Sequence, residues 1–325
     1  MSEPSVVSVT DVYDELRPVL DELEALRRSA LRSFGVMLLV TVLVTPFLVR
    51  VLIELESLMP EKVEYTAGSL PAFGLMAWLL IMALVIRSKV IAHRRLYTRR
   101  YKDAVFGIVC ARLFPMICYK PGEGVSYREF DGTQLFPYES ETYYSEDRLE
   151  GIQGKTDIQL AEVTARRKKL KWDSDGLGTR NVVFFRGLFM IADFHKHFHS
   201  KIRIVPEGER KRSLRQEQLI QMEDPEFEAE FVVFGTDQID ARYVLSSSML
   251  RRILDIKRRW RNDIRLAFKE SRVYLTIQHS RNWFEPSLYR SARNVAQIEE
   301  FVDELGFCLG LVSDLNLNTR IWSKR

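Results

Sequence analysis

Two uncharged apolar runs, FGVMLLVTVLVTPFLV at residues 34–49 and LPAFGLMAWLLIMALVI at residues 70–86, constrain this chain more than any other feature. About 20 helical residues cross the hydrocarbon core of a bilayer. The first run reaches that length if residues 51–53 extend it and Arg50 snorkels to the interface. Neither run carries the polar stripe of an amphipathic core helix. Pro46 and Gly74 are compatible with helices in lipid, where neighbouring groups re-satisfy the backbone. A buried hairpin of core helices is the plain alternative. A cleaved leader fits poorly, because the run starts late and Phe47-Leu48-Val49-Arg50 offers no small-residue cleavage site. The pattern predicts two retained spans.

Flanking charge orients them. Arg27, Arg28 and Arg32 precede the first run; Arg87, Lys89, Arg94, Arg95, Arg99, Arg100 and Lys102 follow the second, with no acidic residue among them. The short connection sets Arg50 and Lys62 against Glu54, Glu56, Glu61 and Glu64. By the positive-inside rule both termini and the main domain face the cytoplasm, which in a bacterium means a multi-pass protein of the inner membrane. The cysteines agree: Cys110, Cys118 and Cys308 are few, odd in number and without CxxC spacing, as suits buried thiols in a reducing compartment rather than disulfides or structural zinc.

These signals divide the chain into a cytosolic amphipathic helix (1–33), a two-span hairpin (34–86), a basic juxtamembrane helix (87–112) and a cytosolic α+β domain (113–325). In the first piece Val12, Leu16, Val19, Leu23 and Leu26 recur at helical spacing among acidic residues, with Thr10 or Asp11 as cap and Pro18 as an interruption. Its apolar stripe needs a cover. The basic continuation at 88–106 would supply one as an antiparallel stalk, and a second copy of the chain is the rival.

In the last piece, alternating segments at 156–163, 169–172, 181–193 and 201–205 have the cadence of an antiparallel meander, with a turn over 173–178. The charged stretch 207–215 reads as an exposed loop or helix start. Asp224-Pro225-Glu226 opens a helix. Residues 241–245 read as a strand, 249–261 as a helix, 264–268 with 273–278 as a hairpin, and Asn294-x-x-Gln297 as the start of a final helix.

Several strings here resemble a bacterial family of two-span membrane proteins catalogued as a domain of unknown function. They are Phe185-Arg186-Gly187-Leu188-Phe189 with Ala192-Asp193-Phe194, then Glu223-Asp224-Pro225-Glu226-Phe227-Glu228, the run DQIDARYVL at 237–245, and Phe284-Glu285-Pro286. With the paired spans, the resemblance covers most of residues 30–320. It implies a membrane-anchored cytosolic domain, no particular activity and no cofactor, and it hints at a LemA-type membrane protein as partner. At His195 the chain departs from the family pattern, which favours Asn, so a histidine-based site would be particular to this protein.

Candidate chemistry is sparse. In a strand, Asp193, His195, His197 and His199 would share one face and could hold a metal for a sensor or an enzyme; a solvated edge or turn is the alternative. Asp173, Asp175 and Gly178 start like a calcium loop, but Leu177 and Phe184 stand where oxygen ligands are required. Asp237, Asp240, Arg242 and Tyr243 could supply an acid–base pair or an ordinary turn with an ion pair. Glycine-rich phosphate loops, HExxH and GxSxG are absent, so no catalytic residue is assigned. The basic residues from Arg87 to Lys102 are candidates for lipid headgroups. Arg251, Arg252, Arg258 and Arg259 around Trp260 are interaction candidates that could lean on the membrane, bind an acidic partner or simply be solvated. With 48 basic against 44 acidic side chains and no reading motif, nucleic acid is an improbable ligand. The expected function is a membrane-tethered interaction or scaffolding module.

Overall fold

The computed structural model describes residues 9–57, 69–173, 176–210, 213–214 and 217–317. They form two compact units: a helical one, Tyr13–Val105 with Pro286–Val295, and a sheet-based one built from the rest.

The helical unit rests on α1 (Val9–Ser57) and α2 (Ser69–Tyr101). α1 has 49 residues and runs unbroken through Pro18 and Pro46, so the expected boundary at residue 33 falls inside one helix. Because α1 starts at Val9, Asp11 lies in its first turn rather than capping it. The connection between the helices, including Glu61, Lys62 and Glu64, lies outside the described residues. Phe34 meets His93 edge-on at 5.6 Å, and a Cβ on Gly74 would lie 2.8 Å from a Leu52 methyl. Phe34 pairs with His93 and Leu52 with Gly74, so the helices run antiparallel, with one side chain of each pair close to the other helix.

Away from the apolar runs this unit has a core. Leu16, Leu20, Leu23 and Ala30 of α1 are buried, as are Tyr97 and Tyr101 of α2, whose rings lie 5.8 Å apart. The cover expected from α2 is there, and residues 286–295 add a second, unforeseen one. Glu24 organises it. Its carboxylate, on a residue only 2% exposed, accepts from Arg27 (2.8 and 2.9 Å), Arg28 (2.8 Å), the Ser291 hydroxyl (3.1 Å) and the Ala292 backbone N–H (2.9 Å). Tyr13 donates to the Arg293 carbonyl at 2.9 Å, and Arg293 pairs with Asp21 at 2.6 Å.

The sheet-based unit holds nine antiparallel strands in the order β1-β2-β3-β4-β9-β8-β5-β7-β6. The meander is β1 (Ile117–Lys120), β2 (Thr142–Gln153), β3 (Thr156–Asp173) and β4 (Gly176–Asp193). The segments expected at 156–163 and 169–172 are one strand, paired with β4 from Ile158↔Ala192 to Asp173↔Gly176. At the tip, residues 174–175 lie outside the described residues. The hairpin of β8 (Ile264–Lys269) and β9 (Arg272–Gln278) closes through Glu270 and Ser271, both at positive φ (53° and 55°), the backbone of a two-residue primed turn. β5 (Ile202–Pro206), β6 (Gln218–Ile220) and β7 (Phe231–Gly235) complete the sheet.

Strand alternation gives the sheet two apolar faces. Ala161, Val163, Ala165, Phe185, Phe189 and Ile191 pack with Val125, Phe130 and Leu135 from α4 (Tyr127–Gly132) and its flanks. On the opposite face Leu160, Leu188, Met190, Leu275 and Ile277 are buried, as are the apolar faces of α7 (Ser247–Trp260) and α8 (Val295–Asp314). α3 (Gly107–Leu113) precedes β1, and α5 (Pro225–Glu230) starts as expected, with Asp224 accepting from Glu226 and Phe227 N–H. Residues 241–245, read as a strand, belong to α6 (Gln238–Val244). There Asp237 accepts from the Asp240 N–H at 2.8 Å, and this cap overrides the short apolar alternation. Cys110 and Cys308 are buried, whereas Cys118 is exposed because it falls on the outward phase of β1.

The Arg27 hydrogen bonds, ahead of the Ala292 and Arg28 ones, hold the Glu24 carboxyl below its ordinary value of 4.5 despite burial. Such a group stabilises fully above its unfolded value and loses that contribution as pH falls through the folded one. Amide exchange over residues 286–295 should therefore accelerate in wild type as pH drops below about 4.5, after correction for intrinsic rates. Glu24→Gln should exchange fast there at neutral pH with little further change on acidification.

Candidate functional site

A group of buried ionisable side chains lies where β2, β3, β9 and α8 meet. Across β2 and β3, Glu146 stands opposite Glu162, and the register slips just after it, between Glu146 and Leu149. The slip places Asp147 at φ 57°, the left-handed region that Asp tolerates better than most residues. Its side chain turns inward and is fully buried. Tyr119 of β1 donates its hydroxyl to Asp147 Oδ1 at 2.5 Å. Burial first, then the charge of Asp147, pushes the Tyr119 phenol well above its ordinary range, so it stays a donor. Carboxylate oxygens of Glu146, Asp147 and Glu162 lie within 4.8 Å of one another.

The segment after β9 closes over this group on two carboxylates. Glu162 Oε1 accepts the Trp283 N–H at 2.6 Å, and Glu304 of α8 accepts the Phe284 N–H at 2.8 Å and pairs with Arg281 at 3.0 Å. Phe284 has φ 54°, strained for a residue with a large side chain and held by these contacts and its rings. Its ring lies 6.2 Å from Tyr119 and 5.6 Å from Phe301, which stacks on Phe106 at 3.9 Å. Trp283 stacks on Trp260 and His279. Burial raises the Glu304 carboxyl and, more strongly, the neighbouring Cys308 thiol. His279 is shifted the other way by burial, toward the neutral imidazole. A thiol held protonated in this way is no nucleophile.

The histidine segment does not form the face that a strand would give it. β4 ends at Asp193, and His195, His197 and His199 follow in irregular chain pinned by buried Phe194 and Phe198. Asp193 lies 3.9 Å from Arg272, and His195 Nε2 is 3.2 Å from the Lys155 carbonyl. Asp240 does reach this segment, but through backbone: its Oδ2 accepts from His199 and Ser200 N–H at 3.1 Å each, and those bonds lower its carboxyl. Asp237 and Asp240 thus cap α6 and tie down a loop.

Among the juxtamembrane residues, Arg87, Lys89, Arg94, Arg95, Arg99 and Arg100 are exposed, but Lys102 is 3% exposed and faces no headgroup. On α7, Arg258 pairs with Asp255 and Glu226, Arg259 with Asp314 at 2.7 Å, and Arg252 donates to the Asp314 carbonyl. Most of that basic patch is occupied within the fold, and Arg251 is the exposed remainder.

Sequence reasoning missed a different basic surface. Beyond Arg166, β3 pairs with β4 and with no other strand among the described residues, so the two extend as a ribbon. It exposes Arg166, Lys168, Lys169, Leu170 (65%) and Arg180. The run RRKKLK at 166–171 was the available signal. For Glu162 the signal was a charge in the apolar phase Ile158, Leu160, Glu162; for Asp147 the sequence offers none.

Glu304→Ala should lower the thermal unfolding midpoint, since losing the acceptor for a buried N–H costs about 1–3 kcal/mol. Glu304→Gln, which keeps an acceptor oxygen, should lose less.

Residues 183–317 match a family described as "Protein of unknown function (DUF3137)", a stretch that runs from the second half of β4 through α8. No curated protein matches the chain. Among solved structures, the crystal structure of the mycobacterial trehalose monomycolate transport factor A, TtfA, aligns with 61% of this chain and 88% of that one. The identity is 9% and the TM-score 0.30, a likeness too low to carry fold or function. What the chain itself presents is a folded α+β domain on two helices long and apolar enough to cross a membrane.

Proposed function

We propose that this protein is a two-span anchor of the bacterial inner membrane that holds an interaction module on the cytoplasmic side. The observation that carries the anchor is exposure: none of the residues in the most apolar stretch of either helix is buried, and Leu43, Phe47, Phe73 and Leu80 are at least 60% exposed. Surface of that kind is stable in lipid and a liability in water. The exposed Arg87, Lys89, Arg94, Arg95, Arg99 and Arg100 directly beyond the second span support the orientation. They also place cations where anionic headgroups contribute about 1 kcal/mol each.

The interaction reading draws on the β3–β4 ribbon. A two-stranded arm that exposes Lys169, Arg180 and Leu170 suits an acidic partner, while Lys168 and Arg167 nearer its base are engaged by Glu141 and Tyr138. We read that partner as another membrane or membrane-associated protein, the LemA type being the one suggested by the family resemblance. A second copy of the chain would fit the arm less well, since like-charged ribbons repel.

Exposed Cys118 is a built-in reporter for both ideas. An impermeant maleimide should label it in inverted membrane vesicles and not in intact spheroplasts, while Glu61→Cys should show the opposite pattern. Cross-linking in native membranes followed by mass spectrometry should recover one stoichiometric partner, reduced several-fold by Lys169→Glu with Arg180→Glu. Labelling of Cys118 from outside would refute the orientation, and an unchanged cross-link in the double variant would refute the ribbon's role.

A further inference from the structure

We propose that Glu146, Asp147 and Glu162, with Nε2 of His279, form a binding site for a divalent transition cation such as Zn²⁺ or Mn²⁺. Three acidic residues close together do not make a site by themselves. The additional observation is His279. Its side chain is only 7% exposed, and its Nε2 is buried without a hydrogen-bond partner while facing Glu162 Oε1 at 4.0 Å. Its other nitrogen, Nδ1, lies 2.6 Å from the Arg281 carbonyl, an acceptor to which Nδ1 must donate. That bond fixes the tautomer and leaves Nε2 to present its lone pair toward the carboxylate. An imidazole oriented by a backbone carbonyl through its far nitrogen is the arrangement found behind metal-ligating histidines.

The carboxylates are supported in the same manner. Tyr119 donates to Asp147, the Trp283 backbone N–H to Glu162 and the Tyr144 hydroxyl to Glu146 at 2.9 Å, so each of the three acids is held by a donor behind it. Glu146 and Glu162 stand directly opposite each other across the strands, a like-charged pair that destabilises a sheet unless something offsets it. A cation does so. Beside this pair is a cavity of about 10 Å³, bordered by Tyr144, Glu146, Glu162, Arg186, Gly187 and Asn282 but not by Asp147 or His279, which is the room one small ion or water requires. Gly187, which also borders the cavity, sits at φ 158° where a Cβ would lie 2.0 Å from the Ile277 carbonyl, so only glycine fits there. Ligand atoms bound to one Zn²⁺ at about 2.0–2.2 Å are closer together than the three carboxylates, which stand within 4.8 Å of one another, or than Nε2 of His279 and Glu162 at 4.0 Å, so binding would draw the side chains inward. An oxygen-rich set with one imidazole favours Mn²⁺ or Zn²⁺ over soft thiolate-seeking ions and over Mg²⁺, which prefers oxygen and water alone.

The test uses the full-length protein in detergent, stripped with chelator and desalted, and titrated calorimetrically with Zn²⁺ alone and then with Mn²⁺ alone. Wild type should bind one equivalent of at least one of the two ions and unfold at a higher temperature in its presence. His279→Ala should weaken that affinity ten- to a hundred-fold, the usual consequence of losing a ligand or its support. Glu146→Gln, at a half-buried position that tolerates an amide, should weaken it comparably while retaining the wild-type circular dichroism. His197→Ala, in the loop after β4, should bind as wild type does. Absence of saturable heat in wild type with either ion would overturn the site. So would binding that survives in Glu146→Gln and His279→Ala but is lost in His197→Ala.

Discussion

A carboxylate withdrawn from water must be compensated, and both units of this protein are arranged around that requirement. In the helical unit the compensated group is Glu24, which takes five donors from Arg27, Arg28, Ser291 and Ala292 and so fixes residues 286–295 against α1. In the sheet-based unit it is the set of Asp147, Glu162 and Glu304, which takes the Tyr119 hydroxyl and the Trp283 and Phe284 N–H groups. The same segment, 279–295, is therefore held by acids in succession, first Glu162 and Glu304, then Glu24. Each of these bonds costs the burial of a charge and returns order in a stretch with no regular secondary structure of its own.

The apolar helices obey the opposite rule. Phe47 and Phe73, at 70% and 65% exposure, are poorly suited to water, and they lie on helices long and apolar enough to cross a membrane. The transition is sharp along the chain: Phe34 and His93 meet near the end of the apolar stretch, and by Tyr97 and Tyr101 the helix is buried in protein. The arginines of α2 between these points face outward, as a cationic collar does at a bilayer surface.

Much of this was legible in the sequence because periodicity and charge asymmetry are local signals. The two long apolar helices, the β8–β9 hairpin, the Asp224 cap and the final helix all follow from residues within a few positions of one another. One misreading has a physical cause. Residues 241–245 alternate like a strand, but the Asp237 cap three residues before Asp240 fixes a helix that periodicity alone does not show. Of the two readings open for HKHFH, a strand face or a solvated edge or turn, the chain takes the second, because β4 ends at Asp193 and Phe194 and Phe198 then bury a loop. The acidic group was invisible for another reason: Tyr119, Asp147, Glu162, His279 and Glu304 are brought together by sheet register and a bulge. Only Glu162, a charge in an apolar phase, announced itself. Nor did anything near residue 24 indicate that its partner would be Ala292.

The central claim is that the two apolar helices are integral to a bilayer, and alkaline carbonate extraction of native membranes tests it most directly. The full-length protein should stay in the membrane pellet at high pH and be released only by detergent. Its appearance in the carbonate supernatant, alongside peripheral proteins, would contradict the account.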